Sequence, residues 1–269
     1  MTVKLPFLAP KVAVLELYGT LGGAIRTQQY VPAIKALRES RRVRAVVLDI
    51  DSPGGSATVA DYLHSELKKL AAKKPVVSFI RGLGASGGYF LAVAGTRIIA
   101  TRASLVGSIG VITIRPVAQD LLHKIGVRVA VAKSGPLKGM GLPFVDITEE
   151  ERQKDERMVQ QFFAHFLTVV AEGRRVPVER VREWATGEVF WGSEALEKGL
   201  VDELGDLDRA TALAAELARI PERVTRVRPR RNPVLARLTG QFAEALVRSA
   251  AAEIERQLTT RIEYRWRGH

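Results

Sequence analysis

The sequence predicts an α/β fold built on a largely parallel sheet. Short, nearly continuous apolar runs recur along the chain, as at residues 43–50 and 76–80. Charged segments with apolar residues at helical spacing follow them, and glycine-containing turns join the two kinds of segment. Strands buried on both faces read as unbroken apolar runs, and helices that cover such a sheet read as amphipathic.

The elements follow in order. Residues 12–17 read as the first strand, and residues 33–39 as part of a helix. Residues 43–50 are a second strand, and residues 58–70 a helix. Residues 76–80 are a third strand, followed by a helix over 87–94. Residues 97–100 and 110–114 read as short strands, 117–124 as a helix and 127–131 as a further strand. Thr148-Glu149-Glu150-Glu151 forms a capping box that opens a long helix to about residue 172. Met158, Phe162, Phe166 and Val169 share a face of it, which marks core or oligomer contact rather than a cofactor box.

Composition bounds the class. With 269 residues, 46% of them hydrophobic, the chain supports one large domain, or one domain with an appendage. There is no cysteine, so disulfide and thiol chemistry are excluded. Met1-Thr2-Val3-Lys4-Leu5-Pro6-Phe7 lacks the charged-then-apolar pattern of a signal segment. No uncharged apolar run approaches the ~18 residues of a membrane span; residues 87–101 come nearest but contain Arg97. These features leave a cytoplasmic or peripheral membrane location.

The most informative stretch is Gly84-Ala85-Ser86-Gly87-Gly88-Tyr89, directly after the third strand. A serine on a strand-to-helix turn presents its hydroxyl beside free N–H groups that favour developing negative charge. Small neighbours allow another backbone to come close. The spacing of the glycines alone does not decide the chemistry. A nucleophilic serine needs a base, and histidine is scarce. His64 falls in a charged helical run, His165 lies beside Phe162, Phe163 and Phe166, and His269 is the last residue. His123, at a helix end, is held in reserve. A lysine is the better base: Lys133 and Lys138 both lie in Lys133-Ser134-Gly135-Pro136-Leu137-Lys138-Gly139-Met140-Gly141. A lysine acts as a base only when neutral, so its pKa must fall well below ~10.4, which apolar burial achieves. Leu137, Met140, Leu142, Pro143 and Phe144 flank Lys138, which makes it the stronger candidate. The bland alternative is that both are solvated loop lysines.

Five segments in this order resemble the signal peptide peptidase A family of Ser-Lys proteases. They are Leu48-Asp49-Ile50-Asp51-Ser52-Pro53-Gly54-Gly55, the Ser86 segment, Val106-Gly107-Ser108-Ile109-Gly110-Val111, the Lys133–Lys138 loop, and residues 187–205 with Gly199-Leu200-Val201-Asp202-Glu203-Leu204-Gly205. The family shares the ClpP/crotonase-like fold, a repeated β-β-α core. The resemblance covers roughly residues 10–215 and implies Ser86 as nucleophile and Lys138 as general base. It implies Ser108 as the hydroxyl that holds the lysine amine, and Gly55 and Gly87 as backbone donors to the oxyanion. Asp51 often matches an asparagine in the family, and its carboxylate is expected to face the turn backbone. Family members usually carry an N-terminal membrane anchor, from which this sequence departs.

The expectation is a serine endopeptidase that cleaves extended peptides, such as remnant signal peptides, through an acyl-enzyme, with no cofactor or metal. The alternatives are a crotonase-fold acyl-CoA enzyme and a non-catalytic oligomeric scaffold. A ring-like homo-oligomer is implied by the family. Residues 1–220 form the expected peptidase domain, and residues 221–269 a basic linker followed by an amphipathic helix. This tail holds eleven Arg and five Glu, half of the net charge of +12. Packing on a neighbouring subunit ranks first for it, peripheral contact with anionic membrane second, and nucleic acid last, since no binding motif accompanies the arginines.

Overall fold

The structure is a computed structural model that describes residues 9–229. The first compact unit ends at Arg228. The amphipathic helix expected in the tail after the basic linker lies outside the described residues.

The elements run β1 (Lys11–Tyr18), α1 (Thr27–Glu39), β2 (Val43–Ser52), α2 (Ala57–Ala71), β3 (Val76–Ala85), α3 (Gly87–Ala92), β4 (Arg97–Ala100) and β5 (Leu105–Gly107). Then come α4 (Gln119–Lys124), a 3-10 turn (Pro136–Gly139), α5 (Glu149–Arg174), α6 (Val178–Trp184), β6 (Val189–Trp191), α7 (Gly192–Lys198), β7 (Glu203–Leu204), α8 (Leu207–Ala218) and β8 (Val224–Val227). The sheet order is β6-β5-β3-β2-β1-β8, with β4 and β7 joined beside the first half of β3. Every described pairing is parallel except β5–β6. This is the largely parallel α/β sheet expected from the unbroken apolar runs.

Alternation along the strands divides the core. Ala13, Leu15, Leu17, Val46, Leu48, Ile50, Val76 and Ile80 share one cluster with residues of α1, α2, α3 and α5. Val12, Val14, Ala45, Val47, Val77 and Phe79 face the other way and pack with Ala210, Ala214 and Ala215 of α8. Side chains of period two place those two sets on opposite faces. The β7 segment is tied to the frame by Asp202, which accepts from the Ile98 N–H and pairs with Arg174 through both guanidinium NH groups. The Tyr89 hydroxyl donates to the Leu200 carbonyl at 2.7 Å.

Two expected strands are absent. Residues 110–114 and 127–131 form no ladder in the described structure. Ile112 and Ile114 are each 81% exposed, and Val127, Val129 and Val131 are exposed as well. A strand needs a partner for its N–H and C=O groups, and alternation alone does not supply one. The helix expected at 117–124 is present as α4. The α5 cap is as expected: Thr148 Oγ1 accepts from the Glu151 N–H, and the Glu151 carboxylate accepts from the Thr148 N–H. Residues 224–227, expected in a linker, instead pair with β1 as β8.

Candidate active site

β3 and β5 end side by side, with Ala85 paired to Gly107. Ser86 and Ser108 each stand one residue beyond that pair. Both adopt positive φ, 51° for Ser86 and 49° for Ser108. This is costly backbone for a residue with a Cβ, and it persists only where surrounding bonds enforce it. The Ser86 N–H donates to the Gly107 carbonyl at 2.8 Å, and the Ser86 carbonyl accepts from the Phe90 N–H to start α3. The Ser108 N–H donates to the Glu188 carbonyl at 2.7 Å, next to β6. Neither hydroxyl has a hydrogen-bond partner among the described residues.

The turn after β2 packs backbone to backbone against this site. A Cβ on Gly54 would lie 2.6 Å from the Gly87 nitrogen, and one on Gly88 would lie 2.5 Å from the Ser52 carbonyl oxygen. The small residues around Ser86 therefore let the second turn approach, as the sequence suggests. Gly55, at φ 134°, sits against the Leu21 backbone. The N–H groups of Gly55 and Gly87 are both free of acceptors within the described chain. With α3 only six residues long, these local amides matter more than a helix dipole. The Asp51 carboxylate, expected to face the turn backbone, accepts from the Leu83 N–H of β3 at 3.0 Å.

Ser86, Ser108, Gly55 and Gly87 all line one cavity of about 640 Å³. Its far wall is Ile112 together with Val159, Phe162, Phe163 and Phe166 of α5, and no charged side chain lines it. The Phe162–Phe166 face expected to mark core or oligomer contact thus does two jobs: Phe166 is buried in the core and also closes the cavity. This wall was missed from sequence because only packing shows where an apolar stripe stops short of its neighbour.

Lys138 is not among the residues lining the cavity. It lies exposed on the 3-10 turn, and the apolar residues that flank it in sequence do not bury it. Its amine makes no hydrogen bond among the described residues, whereas the Lys133 amine donates to the Pro136 carbonyl at 2.8 Å. No described histidine lines the cavity. His165 pairs with Asp61 at 2.7 Å. His123 is exposed on α4. His64 is buried edge-on to Phe90, and burial, aided by Lys68, lowers its pKa to about 4. Among the described residues no group of His, Asp or Glu is arranged to hold a metal, and none of their helices is long and apolar enough to cross a membrane.

The chain matches peptidase family S49 over residues 68–221, a span that includes Ser86, Ser108 and Lys138. It is 36% identical to the chloroplastic serine protease SPPA of Arabidopsis thaliana over 203 residues, 75% of this chain and 30% of that protein. It is 36% identical to a Synechocystis protein named as a protease over 234 residues, 86% of this chain and 83% of that one. Protease 4 of Salmonella typhi is 34% identical over 77% of this chain and 33% of its own length. The chain thus spans about a third of the Arabidopsis and Salmonella proteins and most of the Synechocystis one. A serine-to-alanine mutant of the 1510-N membrane-bound stomatin-specific protease has the same fold, with a TM-score of 0.54 at 15% identity over 82% of this chain and 99% of that one. Matched over more than half its length, and sharing its sheet with a protease of known structure, the chain belongs to peptidase family S49, the family of the signal peptide peptidase A proteases.

Proposed function

We infer that this protein is a serine endopeptidase with Ser86 as nucleophile and Lys138 as general base. The observation that carries the reading is the Ser86 hydroxyl, held at positive φ in the cavity whose lining includes Gly55 and Gly87, both with free N–H groups. In this reading the neutral Lys138 amine takes the Ser86 proton as the oxygen attacks a peptide carbonyl. The two N–H groups stabilise the oxyanion, and the protonated amine then gives its proton to the leaving amine. Water, activated by the same amine, hydrolyses the acyl-enzyme. Ser108, one residue past the strand paired with β3, holds the lysine amine.

The uncharged cavity wall suits a bulky apolar side chain next to the scissile bond. Remnant signal peptides, whose central segment is apolar, are substrates of that class. Lys138 is exposed and does not line the cavity, which supports a site completed by the Lys138 of a neighbouring copy. The exposed Ile112, Ile114, Val127 and Val129 on the same segment give such a homo-oligomer apolar surface to bury. Residues 1–220 with β8 form the peptidase domain; the tail beyond serves subunit packing or peripheral membrane contact.

Labelling with a fluorophosphonate tests the nucleophile. Wild-type protein is expected to react once per chain and Ser86→Ala not at all. Equal labelling of both would remove Ser86 from the mechanism.

A further inference from the structure

Ser52 ends β2 and is 0% exposed. Its hydroxyl donates to the Gly19 carbonyl at 2.7 Å and accepts from the Gly54 N–H at 3.2 Å. Gly54 is held on its other side as well, because its carbonyl accepts from the Leu21 N–H at 2.8 Å. In a trans peptide the C=O and the following N–H point in opposite directions. Fixing the Gly54 carbonyl toward Leu21 therefore aims the Gly55 N–H away from Leu21, and Gly55 lines the cavity that holds Ser86. Gly54 and Gly55 both have positive φ, at 95° and 134°, and glycine flips between backbone wells with little steric penalty. Something must hold the pair in one state, and two hydrogen bonds to Gly54 do so.

We propose that Ser52 is a positioning residue for the oxyanion site: its hydroxyl ties the Gly19 turn to the Gly54 N–H and so keeps the Gly55 N–H aimed into the cavity. Ser52 does not touch substrate. It also takes up the Gly54 N–H, leaving Gly55 as the donor the turn offers. This rests on the Ser86 peptidase reading. The hydroxyl matters more to the transition state than to substrate binding, because the oxyanion forms only after attack.

The test compares Ser52→Ala, Ser52→Cys and Ser52→Thr with wild type on a fluorogenic peptide carrying a bulky apolar residue before the scissile bond. Thermal melting is followed for each. Cysteine keeps the volume but is a weak hydrogen-bonding group, and threonine keeps the hydroxyl. Loss of a whole oxyanion donor costs about 10²–10³ in kcat, so loss of its support is expected to cost about 10–10² in kcat in the Ala and Cys variants, with KM within about twofold. Threonine is expected to recover most of that loss. A kcat within about twofold of wild type in Ser52→Ala, a change in KM alone, or a Thr variant that melts like wild type yet is no better than Ala would each overturn the proposal. Ser86→Ala is run in parallel. Full activity in that variant would overturn the peptidase reading itself, whereas an inactive Ser86→Ala beside a normal Ser52→Ala would overturn only the role of Ser52.

Discussion

The Ser86 turn and the segment that carries Lys138 both join regular elements, yet the chain builds them differently. Around Ser86, Gly87 and Gly88 are buried and packed against the β2 turn, and the backbone is bonded to β5. Around Lys138, residues 110–147 are largely exposed and pair with no strand among the described residues. The first region is completed by contacts within the chain. The second displays apolar side chains that no described residue covers. In the proposed mechanism the serine and the two backbone donors thus sit in a region packed against the sheet and its turns, and the lysine sits on an exposed segment that a second copy would cover.

The largest effect expected from the frame is loss of catalysis without loss of fold. Ser86→Ala should lower peptide hydrolysis by about 10³-fold or more and leave the melting temperature near wild type. The same drop accompanied by unfolding would assign Ser86 to structure. On the exposed side, Lys138→Ala should lower activity by about 10²-fold or more, while Lys133→Ala, which loses only a bond within its own loop, should stay within about fivefold. The reverse order would transfer the base to Lys133.

Stability distinguishes the two regions by pH. The folded chain holds His64 at a pKa of about 4 against the ordinary 6.5, chiefly through burial, then Lys68, with Asp61 opposing and His165 adding slightly. The unfolded state thus binds the extra proton between about pH 6.5 and 4. Stability from this group is fully present above about pH 6.5 and is lost as pH falls to about 4, by up to roughly 3 kcal/mol. Denaturant unfolding of His64→Leu should show a flatter dependence across that window. An unchanged slope would mean that another group carries it. The smallest effect belongs to the α5 cap, where Thr148→Ala should cost about 1 kcal/mol in denaturant unfolding and leave kcat unchanged.

How much of this was legible in the sequence follows from where each feature gets its partners. The Ser86 turn could be read because an apolar run, two glycines and a helix start lie within a few residues of one another. The α5 capping box is equally local. The strands expected at 110–114 and 127–131 have the right alternation but no partner among the described residues, and no pattern within a segment reports that. β8 was hidden because Arg226 stands between its valines and Arg223 and Arg228 flank it, yet an edge strand tolerates charge on its open side. Ser52 was silent because its partner carbonyl, Gly19, is 33 residues away. Lys138 was preferred to Lys133 for its apolar flanks, yet neighbours in sequence do not bury a side chain unless the fold closes over it, and in this fold Lys138 is exposed.

The most direct measurement joins the two regions from different copies. Co-expression of Ser86→Ala with Lys138→Ala, each inactive alone, should yield mixed oligomers in which roughly a quarter of the sites combine an intact serine from one copy with an intact lysine from its neighbour. Peptidase activity should return to roughly a quarter of the wild-type value. Mixed oligomers as inactive as either variant alone would contradict a site completed by a second copy.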